Sequence, residues 1–278
     1  MKRSIVTTAV LATLLCGFLI SAGPGEAQEA RLNEVLKRGY VIVGTSGASP
    51  PFSFIDEKGE LVGFDIDIAR LVAKGLFDDP SKVQFVKQSF EARWASVISG
   101  KVDFGIQTTT IYPDRLRKVA FTRPYVDSGI AVLVRKDSGV NHLGELNDPK
   151  YTIAQLNNPQ SADRHKRWTP KAKPLTFDSN AQMFLAVKSG QAQAMQFDVP
   201  VIDWLIAQNR DIVKKLPELM SPVQDNAIFL RQGDFVWWHF LDALVQEMKE
   251  GSLYEDYTAI YQKWFGVNPP AQRWYLPK

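Results

Sequence analysis

The chain has 278 residues, with 33 lysines and arginines against 30 aspartates and glutamates, and 45% of it is hydrophobic. This length and apolar content are enough for one large or two ordinary domains, and the 7 Trp, 8 Tyr and 16 Phe exclude a disordered chain. A net charge of +3, without a cluster of basic residues, argues against nucleic acid as a partner.

The first 27 residues have the pattern of a secretory signal peptide. Two basic residues precede an apolar run over residues 5–22, and the small residues Gly25 and Ala27 occupy the −3 and −1 positions of a cleavage site. An uncleaved membrane anchor is the alternative, but threonines interrupt the run and small residues follow it. Cys16 lies within the run, so the mature chain has no cysteine and depends on its core rather than on disulfides. We therefore expect an exported, soluble protein.

Short β-branched runs then alternate with segments of helical periodicity. Over residues 65–76 apolar residues recur every three or four positions, and Asp65 is placed to cap the start of this helix. Gly100 is placed to end a second helix in the left-handed conformation. Strands that alternate with helices favour parallel pairing and an α/β fold. The predicted strands are residues 40–44, 83–86 and 102–106, and the predicted helices are residues 65–76 and 94–98.

One unit of helix, glycine and strand occurs twice in the sequence. The first copy covers residues 93–106 around Gly100, and the second covers residues 182–197 around Gly190. The two copies have little sequence similarity, but their shared order predicts two α/β lobes of like design.

The remaining sequence predicts two loops and two terminal helices. Residues 141–149 and 168–174 have the composition of loops in the second lobe. Gly251 separates the two helices, and residues 253–264 carry the apolar face of the second. The apolar face of the first is predicted to contain Phe235, Trp238, Leu241, Leu244, Val245 and Met248.

Motifs that carry catalysis are missing from the sequence. It contains no phosphate-binding glycine loop, no nucleophile elbow and no pair of cysteines or histidines at metal-ligand spacing. His142, His165 and His239 are scattered, and His239 lies in an aromatic helix, where packing is its expected role. We therefore expect a protein that is not an enzyme and that needs no metal or cofactor.

Four blocks of sequence, in order and at regular spacing, support a family resemblance. The blocks are PPFSF with GELVGFDIDIA (residues 50–54 and 59–69), SGKVD (99–103), TTTIYPDR with VAFTRPY (108–115 and 119–125), and GSLY with YQKWFG (251–254 and 261–266). With them the chain resembles the periplasmic polar amino-acid-binding proteins of ABC transporters (solute-binding protein family 3), over residues 35–266. It is most similar to the glutamate/aspartate-binding branch.

The resemblance implies an α/β fold of the two-lobed periplasmic binding protein kind (type II), with a ligand cleft between lobes joined by two hinge segments. The implied domains are a signal peptide at 1–27, a first lobe of residues 28–127 plus 226–278, and a second lobe of residues 128–225. In function, it implies a periplasmic, monomeric substrate-binding protein of an ABC importer. Such a protein captures a polar amino acid by closing near residues 127–129 and 224–227, and delivers it to a membrane permease.

A zwitterionic amino acid buried between lobes needs a partner for each charge, because an unpaired buried ion costs several kcal/mol. Arg115 is the candidate for the α-carboxylate, since a guanidinium offers two parallel donors; a solvated arginine at a helix start is the alternative. Thr110 would add a hydroxyl and an amide donor to the α-carboxylate, and a carbonyl near Thr108 would accept from the ammonium. The alternative is that these consecutive threonines are ordinary strand residues. By resemblance Asp198 pairs with the ammonium, and helix capping is its alternative role.

The second lobe supplies a candidate loop at residues 157–161, just before a predicted helix. Free amides at the amino terminus of a helix can bind a carboxylate, which makes Gln160 and Ser161 candidates for the ligand site. The loop departs from the family, which usually has glycine followed by threonines or serines.

Residues that would contact the ligand side chain are mixed in character. Arg93 resembles the residue that meets the side-chain carboxylate in the acidic branch, and Phe90 is a candidate apolar wall. Ser46 and Ser179 stand where that branch has arginine and histidine, and Ser49 stands where many members have an aromatic ring. An acidic amino acid is therefore the first expectation, and a larger polar or modified amino acid, using the room left by the serines, is the second.

Two other functions remain open on this scaffold. Some relatives of the family are cyclohexadienyl dehydratases, which need a general acid in the cleft, and residues 157–161 offer no Asp, Glu or His. A ligand-sensing module that reports to a membrane protein is the other alternative.

Overall fold

The computed structural model describes residues 29–222 and 224–270, so the predicted signal peptide at 1–27 lies outside the described residues. The strands form two five-stranded sheets and one three-stranded sheet. In chain order the strands are β1 (Val41–Thr45), β2 (Ala48–Ser49), β3 (Ser53–Ile55), β4 (Leu61–Val62), β5 (Val83–Lys87), β6 (Phe104–Gly105), β7 (Ala120–Val126), β8 (Ile130–Arg135), β9 (Thr152–Leu156), β10 (Lys173–Phe177), β11 (Ala194–Asp198), β12 (Val213–Lys215) and β13 (Asn226–Leu230). The α-helices are α1 (Arg31–Arg38), α2 (Phe64–Phe77), α3 (Arg93–Ile98), α4 (Pro113–Leu116), α5 (Pro159–Trp168), α6 (Asn180–Lys188), α7 (Val199–Gln208), α8 (Phe235–Glu250) and α9 (Tyr254–Phe265). Short 3-10 helices span Lys136–Ser138 and Leu143–Leu146.

The two large sheets share one plan. Their strand orders are β5-β1-β6-β13-β7 and β10-β9-β11-β8-β12, and in each the first three strands are parallel and the last two antiparallel to their neighbours. The predicted repeat occupies equivalent places, because α3 leads through Gly100 into β6 and α6 leads through Gly190 into β11. Both glycines are left-handed, with φ of 75° and 83°. The predicted two-lobed α/β fold is confirmed: the first sheet and its helices form the first lobe, and the second sheet with α5, α6 and α7 forms the second.

The chain crosses between the lobes twice, and the crossings lie side by side. It leaves the first sheet at Val126 and enters the second at Ile130, and it returns to the first sheet at β13. The Ile130 amide donates to the Ser221 carbonyl at 2.7 Å, and the Gln224 amide donates to the Ser128 carbonyl at 2.9 Å. The second lobe therefore begins and ends at one place on the first.

The start of α2 corrects one prediction. The helix begins after Gly63, whose φ of 136° and close approach to the Phe52 carbonyl oxygen leave no room for a Cβ. Asp65 does not cap the helix: its carboxylate is fully buried and accepts a hydrogen bond from the Tyr125 hydroxyl at 2.7 Å. The expected cap was wrong because the capping position lies before the first helical residue, and Gly63 occupies it.

Helix α8 packs on the first lobe through a face that differs slightly from the predicted one. Phe235 was expected on this face, but it is 69% exposed and stacks on the His239 ring at 5.6 Å between centroids. Trp237 takes its place, since it lies one helical turn before Leu241. His239 has the expected packing role, although at the surface. The buried apolar residues of α8 are Trp237, Leu241, Leu244, Val245 and Met248.

The two predicted loops of the second lobe are partly regular. The predicted loop at 168–174 is too long at both ends, because Trp168 is the last residue of α5 and Lys173 and Pro174 belong to β10, which pairs in parallel with β9. A proline fits there because β10 is an edge strand, where a missing amide costs no ladder hydrogen bond. Residues 141–149 contain the second 3-10 helix. Among the described helices, none is both long and apolar enough to cross a bilayer.

Candidate ligand-binding cleft

A cleft between the two lobes contains an inner and an outer cavity that adjoin, and a third cavity of about 640 Å³ that shares four lining residues with the inner one, Arg164 among them. An inner cavity of about 40 Å³ and an outer cavity of about 420 Å³ share six lining residues. Eight of the eleven residues predicted for the ligand site line the inner cavity. They are Phe90, Arg93, Thr108, Thr110 and Arg115 from the first lobe, and Gln160, Ser161 and Asp198 from the second.

Arg115 is held at the cleft by the short helix α4. Tyr112 precedes this helix and Pro113 begins it. Proline suits this position because the first amide of a helix has no hydrogen-bond partner within the helix. The guanidinium donates from Nη1 to the Thr110 carbonyl at 2.8 Å and lies 4.7 Å from the centre of the Tyr112 ring. Burial lowers the pKa of Arg115. The alternative of a solvated helix-start arginine does not describe this side chain, which is half-buried and faces the inner cavity.

Gln160 links the two lobes across the cleft. Its Oε1 accepts from Nη2 of Arg115 at 3.1 Å, and its Nε2 donates to Oδ2 of Asp114 at 2.8 Å. The amide oxygen therefore occupies part of the guanidinium fork that was predicted to bind a ligand carboxylate. A ligand that uses both donors of Arg115 has to displace Gln160.

Asp198 is the last residue of β11 and is 7% exposed. Its carboxylate does not cap α7; Oδ1 accepts from the Ser128 hydroxyl and from the Asn226 side-chain amide, each at 3.0 Å. Both donors come from the segments that cross between the lobes. Burial raises the pKa of Asp198, because a charged carboxylate is poorly solvated there. The capping alternative is thus not the arrangement that the structure contains.

The three threonines after β6 have different partners. Thr108 has a φ of 38°, its amide donates to Oδ2 of Asp65 at 3.4 Å, and its buried hydroxyl has no partner among the described residues. Thr109 accepts from Nη1 of Arg93 at 3.2 Å. The Thr110 hydroxyl lies 3.4 Å from the Gln224 carbonyl and 3.3 Å from an Asn226 side-chain oxygen, so the crossing segment already occupies it.

Arg93 is a buried guanidinium, only 4% exposed. It lies over the rings of Phe90 and Trp94, at 5.2 and 4.3 Å from their centres. Its Nε has no hydrogen-bond partner, and it forms no ion pair, within the residues that the structure describes. Burial, and then the nearby charge of Arg115, hold the pKa of Arg93 well below its usual range.

Arg164 is a third guanidinium in the inner cavity, and sequence reasoning missed it. It comes from α5 of the second lobe, where Nε donates to Oε1 of Gln196 at 2.8 Å and Nη2 donates to Ser161 Oγ at 3.0 Å. Burial lowers the pKa of Arg164, which lies near Tyr112 of the first lobe. Its spacing from Ser161 could have identified it. The two residues are three positions apart, so they share one face of a helix that was predicted to begin at the site.

The amino terminus of α5 is less open than predicted. Asn158 caps the helix, and its side-chain oxygen accepts from the Ser161 amide at 2.8 Å. That amide was expected to be free for a carboxylate. The Ser161 side chain, by contrast, lines the inner cavity.

Three predicted residues line none of these cavities. Ser46 accepts from the Ala48 amide at 3.3 Å, and Ser49 is 1% exposed in β2. Ser179 caps α6, where its hydroxyl accepts from the Gln182 amide at 3.3 Å. Within the described part of the chain, no three His, Cys, Asp or Glu side chains gather where they could hold a metal ion.

A statistical model of the bacterial extracellular solute-binding proteins, family 3, matches residues 41–267. The chain belongs to this family. The resemblance drawn from the four sequence blocks is therefore confirmed at the level of the family, while the glutamate/aspartate branch stays a prediction.

Several characterised proteins are similar to this family 3 solute-binding protein. The ABC transporter glutamine-binding protein GlnH of Bacillus subtilis (strain 168) is 26% identical over 264 residues, or 94% of each chain. The L-cystine-binding protein TcyJ of Escherichia coli (strain K12) is 28% identical over 245 residues, or 87% of this chain and 88% of that one. A crystal structure of the ancestral amino acid-binding protein AncCDT-1, a precursor of cyclohexadienyl dehydratase, matches with a TM-score of 0.77 and 34% identity over 85% of this chain and 100% of that one.

Proposed function

We propose that this family 3 protein is the periplasmic substrate-binding protein of an ABC importer, and that it captures an amino acid with an acidic side chain and delivers it to a membrane permease. One observation carries the proposal: a guanidinium from the first lobe, Arg115, and a carboxylate from the second, Asp198, line one small cavity. Neither is in an ion pair with another described residue.

The two charges suit a zwitterion. Asp198 is buried and Arg115 is half-buried. Arg115 donates to a neutral carbonyl and Asp198 accepts from neutral donors, so neither is paired with an opposite charge. An α-amino acid supplies a carboxylate for Arg115 and an ammonium for Asp198, so one ligand neutralises both. Because the two partners belong to different lobes, the ligand makes both contacts only when the cleft is closed, and this differential affinity favours closure.

Arg93 supports an acidic side chain on that ligand. It lines the same cavity, it lies near Arg115, and its Nε is buried without a partner. A carboxylate on the ligand side chain would satisfy it by a charge-assisted hydrogen bond.

The proposal also includes the location of the protein, its oligomeric state and the place where the lobes close. The signal peptide at 1–27 would direct export to the periplasm, where the monomer would work without a cofactor and without nucleic acid. Closure would occur at the paired crossings near residues 127–129 and 224–227, between a first lobe of residues 28–127 plus 226–278 and a second lobe of residues 128–225.

A thermal-shift screen over the common amino acids tests this function, because a ligand that binds only the folded state raises the melting temperature. We expect L-glutamate or L-aspartate to give the largest shifts, and Arg93→Ala to reduce those shifts far more than any shift with L-glutamine. Equal losses for acidic and neutral ligands would remove Arg93 from the side-chain subsite. A screen without any shift would overturn the proposed function.

A dehydratase is the second candidate, favoured by the structural similarity to AncCDT-1. The loop at 157–161, which reaches the cleft, has no acidic side chain or histidine that could serve as a general acid, so we propose a binding protein that is not an enzyme. An assay of prephenate and arogenate turnover distinguishes the two, with no turnover expected.

A further inference from the structure

The inner cavity has an excess of positive charge. Arg93, Arg115 and Arg164 line it against one carboxylate, that of Asp198. Glu91, Asp114, Lys118 and Asp178 line the outer cavity but not the inner one, and all are exposed to solvent. Arg117, Asp163 and Arg167 line a third cavity next to Arg164, and they are exposed as well. They keep their hydration, so they do little to neutralise the inner guanidiniums.

Arg164 is hydrogen-bonded to buried residues of the second lobe. Gln196, which accepts from Nε of Arg164, is 1% exposed and donates in turn to Gln155 at 2.9 Å and to the Ser161 carbonyl at 3.2 Å. Ser161, the partner of Nη2, is 2% exposed. This buried network orients the guanidinium beside the cavity.

A charge count then distinguishes classes of ligand. In the proposed function, an ammonium pairs with Asp198 and an α-carboxylate pairs with Arg115, which leaves the charges of Arg93 and Arg164. A neutral side chain leaves both without a counter-charge, and a single carboxylate neutralises one. Only a side chain with two negative charges neutralises both, and charges that stay buried without a partner are costly.

We infer that Arg164 and Arg93, from opposite lobes, form a subsite for a dianionic side-chain group, and that the ligand is an amino acid that ends in a phosphate or in paired carboxylates. The inference rests on the proposed function and extends it by naming the ligand class. The outer cavity, which Arg93 also lines, and the third cavity, which Arg164 also lines, offer room for a group larger than that of aspartate or glutamate.

The test compares affinities by isothermal titration for O-phospho-L-serine, γ-carboxy-L-glutamate, L-aspartate and L-glutamine. We expect at least one of the two dianionic ligands to bind about tenfold to a hundredfold more tightly than L-aspartate, the range for a charge-assisted hydrogen bond. Which of the two binds more tightly distinguishes a phosphate from paired carboxylates. If L-aspartate binds at least as tightly as both, the inference is wrong and the proposed function stands. If L-glutamine does, the inference is wrong and the acidic side chain of the proposed function is wrong too. If no amino acid binds, the proposed function itself fails.

The pH dependence of the affinity is a second test, because a purely structural role of Arg164 would not change it. The second pKa of a phosphate monoester is about 6, so its charge doubles between pH 5 and pH 7.5. The ratio of the affinity for O-phospho-L-serine to that for L-aspartate should rise about tenfold over this range, and the ratio removes effects on titrating groups of the protein, such as Asp198 and Asp65. A flat ratio would count against a subsite for a dianion of the phosphate kind.

Matched variants assign the effect to Arg164. Arg164→Gln should bring the affinity for the preferred dianion close to that for L-aspartate, whereas Arg164→Lys should keep part of the preference because it keeps the charge. Arg167→Gln is the control: it lies on the same helix, is exposed and does not line the inner cavity. If Arg164→Gln retains the full preference for the dianion, Arg164 is not part of the subsite.

Discussion

At the scale of single residues, Arg115 is the arginine that we propose binds the α-carboxylate of the ligand. Among the described residues, its guanidinium donates to two neutral oxygens, those of Thr110 and Gln160, and Gln160 belongs to the opposite lobe. A ligand carboxylate would replace a neutral acceptor by a charged one, which makes stronger hydrogen bonds.

We therefore expect Arg115→Ala to weaken binding of the amino acid by roughly 2–5 kcal/mol, because truncation leaves a buried carboxylate without its partner. Isothermal titration measures the loss. The control is Arg117→Ala, an exposed arginine two residues along that does not line the inner cavity. An unchanged affinity for Arg115→Ala would exclude this residue from the site.

Asp65 is a residue whose titration should influence folding. Its carboxyl is fully buried, and burial raises its pKa from 3.8 to about 7, although the hydrogen bond from Tyr125 opposes the shift. Between these two pH values the folded state holds a proton that the unfolded state has lost. Stability from this group is therefore greatest at low pH and decreases as the pH rises from about 4 to about 7.

Asp65→Asn should remove this dependence, since an amide does not titrate and can still accept from the Tyr125 hydroxyl. The free energy of unfolding, measured in urea at several pH values, should fall by roughly 4 kcal/mol more in the original chain than in the variant between pH 4 and pH 7. Parallel pH profiles for the two proteins would contradict a raised pKa at Asp65.

At the scale of elements, two helix starts that look alike in sequence have different places in the cleft. Asn158 begins α5 and Ser179 begins α6, and each side chain accepts from the backbone amide three residues along. Only Asn158 lines the inner cavity. The side chain of Ser179 has a structural role in α6, where the family comparison had suggested a contact with the ligand.

Ser179→Ala should cost about 1 kcal/mol of folding stability, as expected for a lost helix cap, and leave ligand affinity unchanged. Asn158→Ala should cost a similar amount of stability and also weaken binding. Chemical denaturation and titration of both variants separate the two effects. A loss of affinity in Ser179→Ala equal to that in Asn158→Ala would return Ser179 to the ligand site.

Elements were easier to predict than the directions of their side chains. The repeated helix, glycine and strand was visible in sequence because glycine at a left-handed position and a β-branched or buried run are local signals. Asp65 and Phe235 were misplaced because a helix face spans a broad arc, and which edge of it is buried depends on the neighbouring helices and strands. Arg164 was missed for a related reason: its role depends on Gln196 of β11, a contact that spans 32 residues.

At the scale of the whole molecule, the described conformation has the two lobes in direct contact across the cleft through Gln160. This side chain accepts from Arg115 and donates to Asp114 of the first lobe, so it stabilises a closed arrangement. The inner cavity is correspondingly small, about 40 Å³.

Gln160→Ala should shift the ligand-free protein toward an open form, by about tenfold in the equilibrium if the two hydrogen bonds together contribute about 1–2 kcal/mol. Small-angle X-ray scattering would then give a larger radius of gyration for the ligand-free variant than for the original chain. Addition of the ligand should bring the two values together. Equal radii without ligand would mean that Gln160 does not hold the lobes closed.

The family, the fold and the pairing of lobes could be predicted because they depend on sequence blocks distributed along the chain. The excess of positive charge in the inner cavity could not be predicted. It arises from three arginines on separate helices, and their convergence depends on how the lobes meet. The hydrogen bond from Arg115 to Gln160 could not be predicted from sequence either, since it joins residues 45 positions apart in different lobes.

The place of β13 has a consequence for how the chain folds as it is synthesised from its amino terminus. This strand lies between β6 and β7 in the first sheet, yet it follows the entire second lobe in sequence. The first sheet therefore has a gap until the last quarter of the chain has appeared, whereas the five strands of the second sheet are already available. The domain that is second in sequence can reach its final structure first, and the amino-terminal domain has to wait for it.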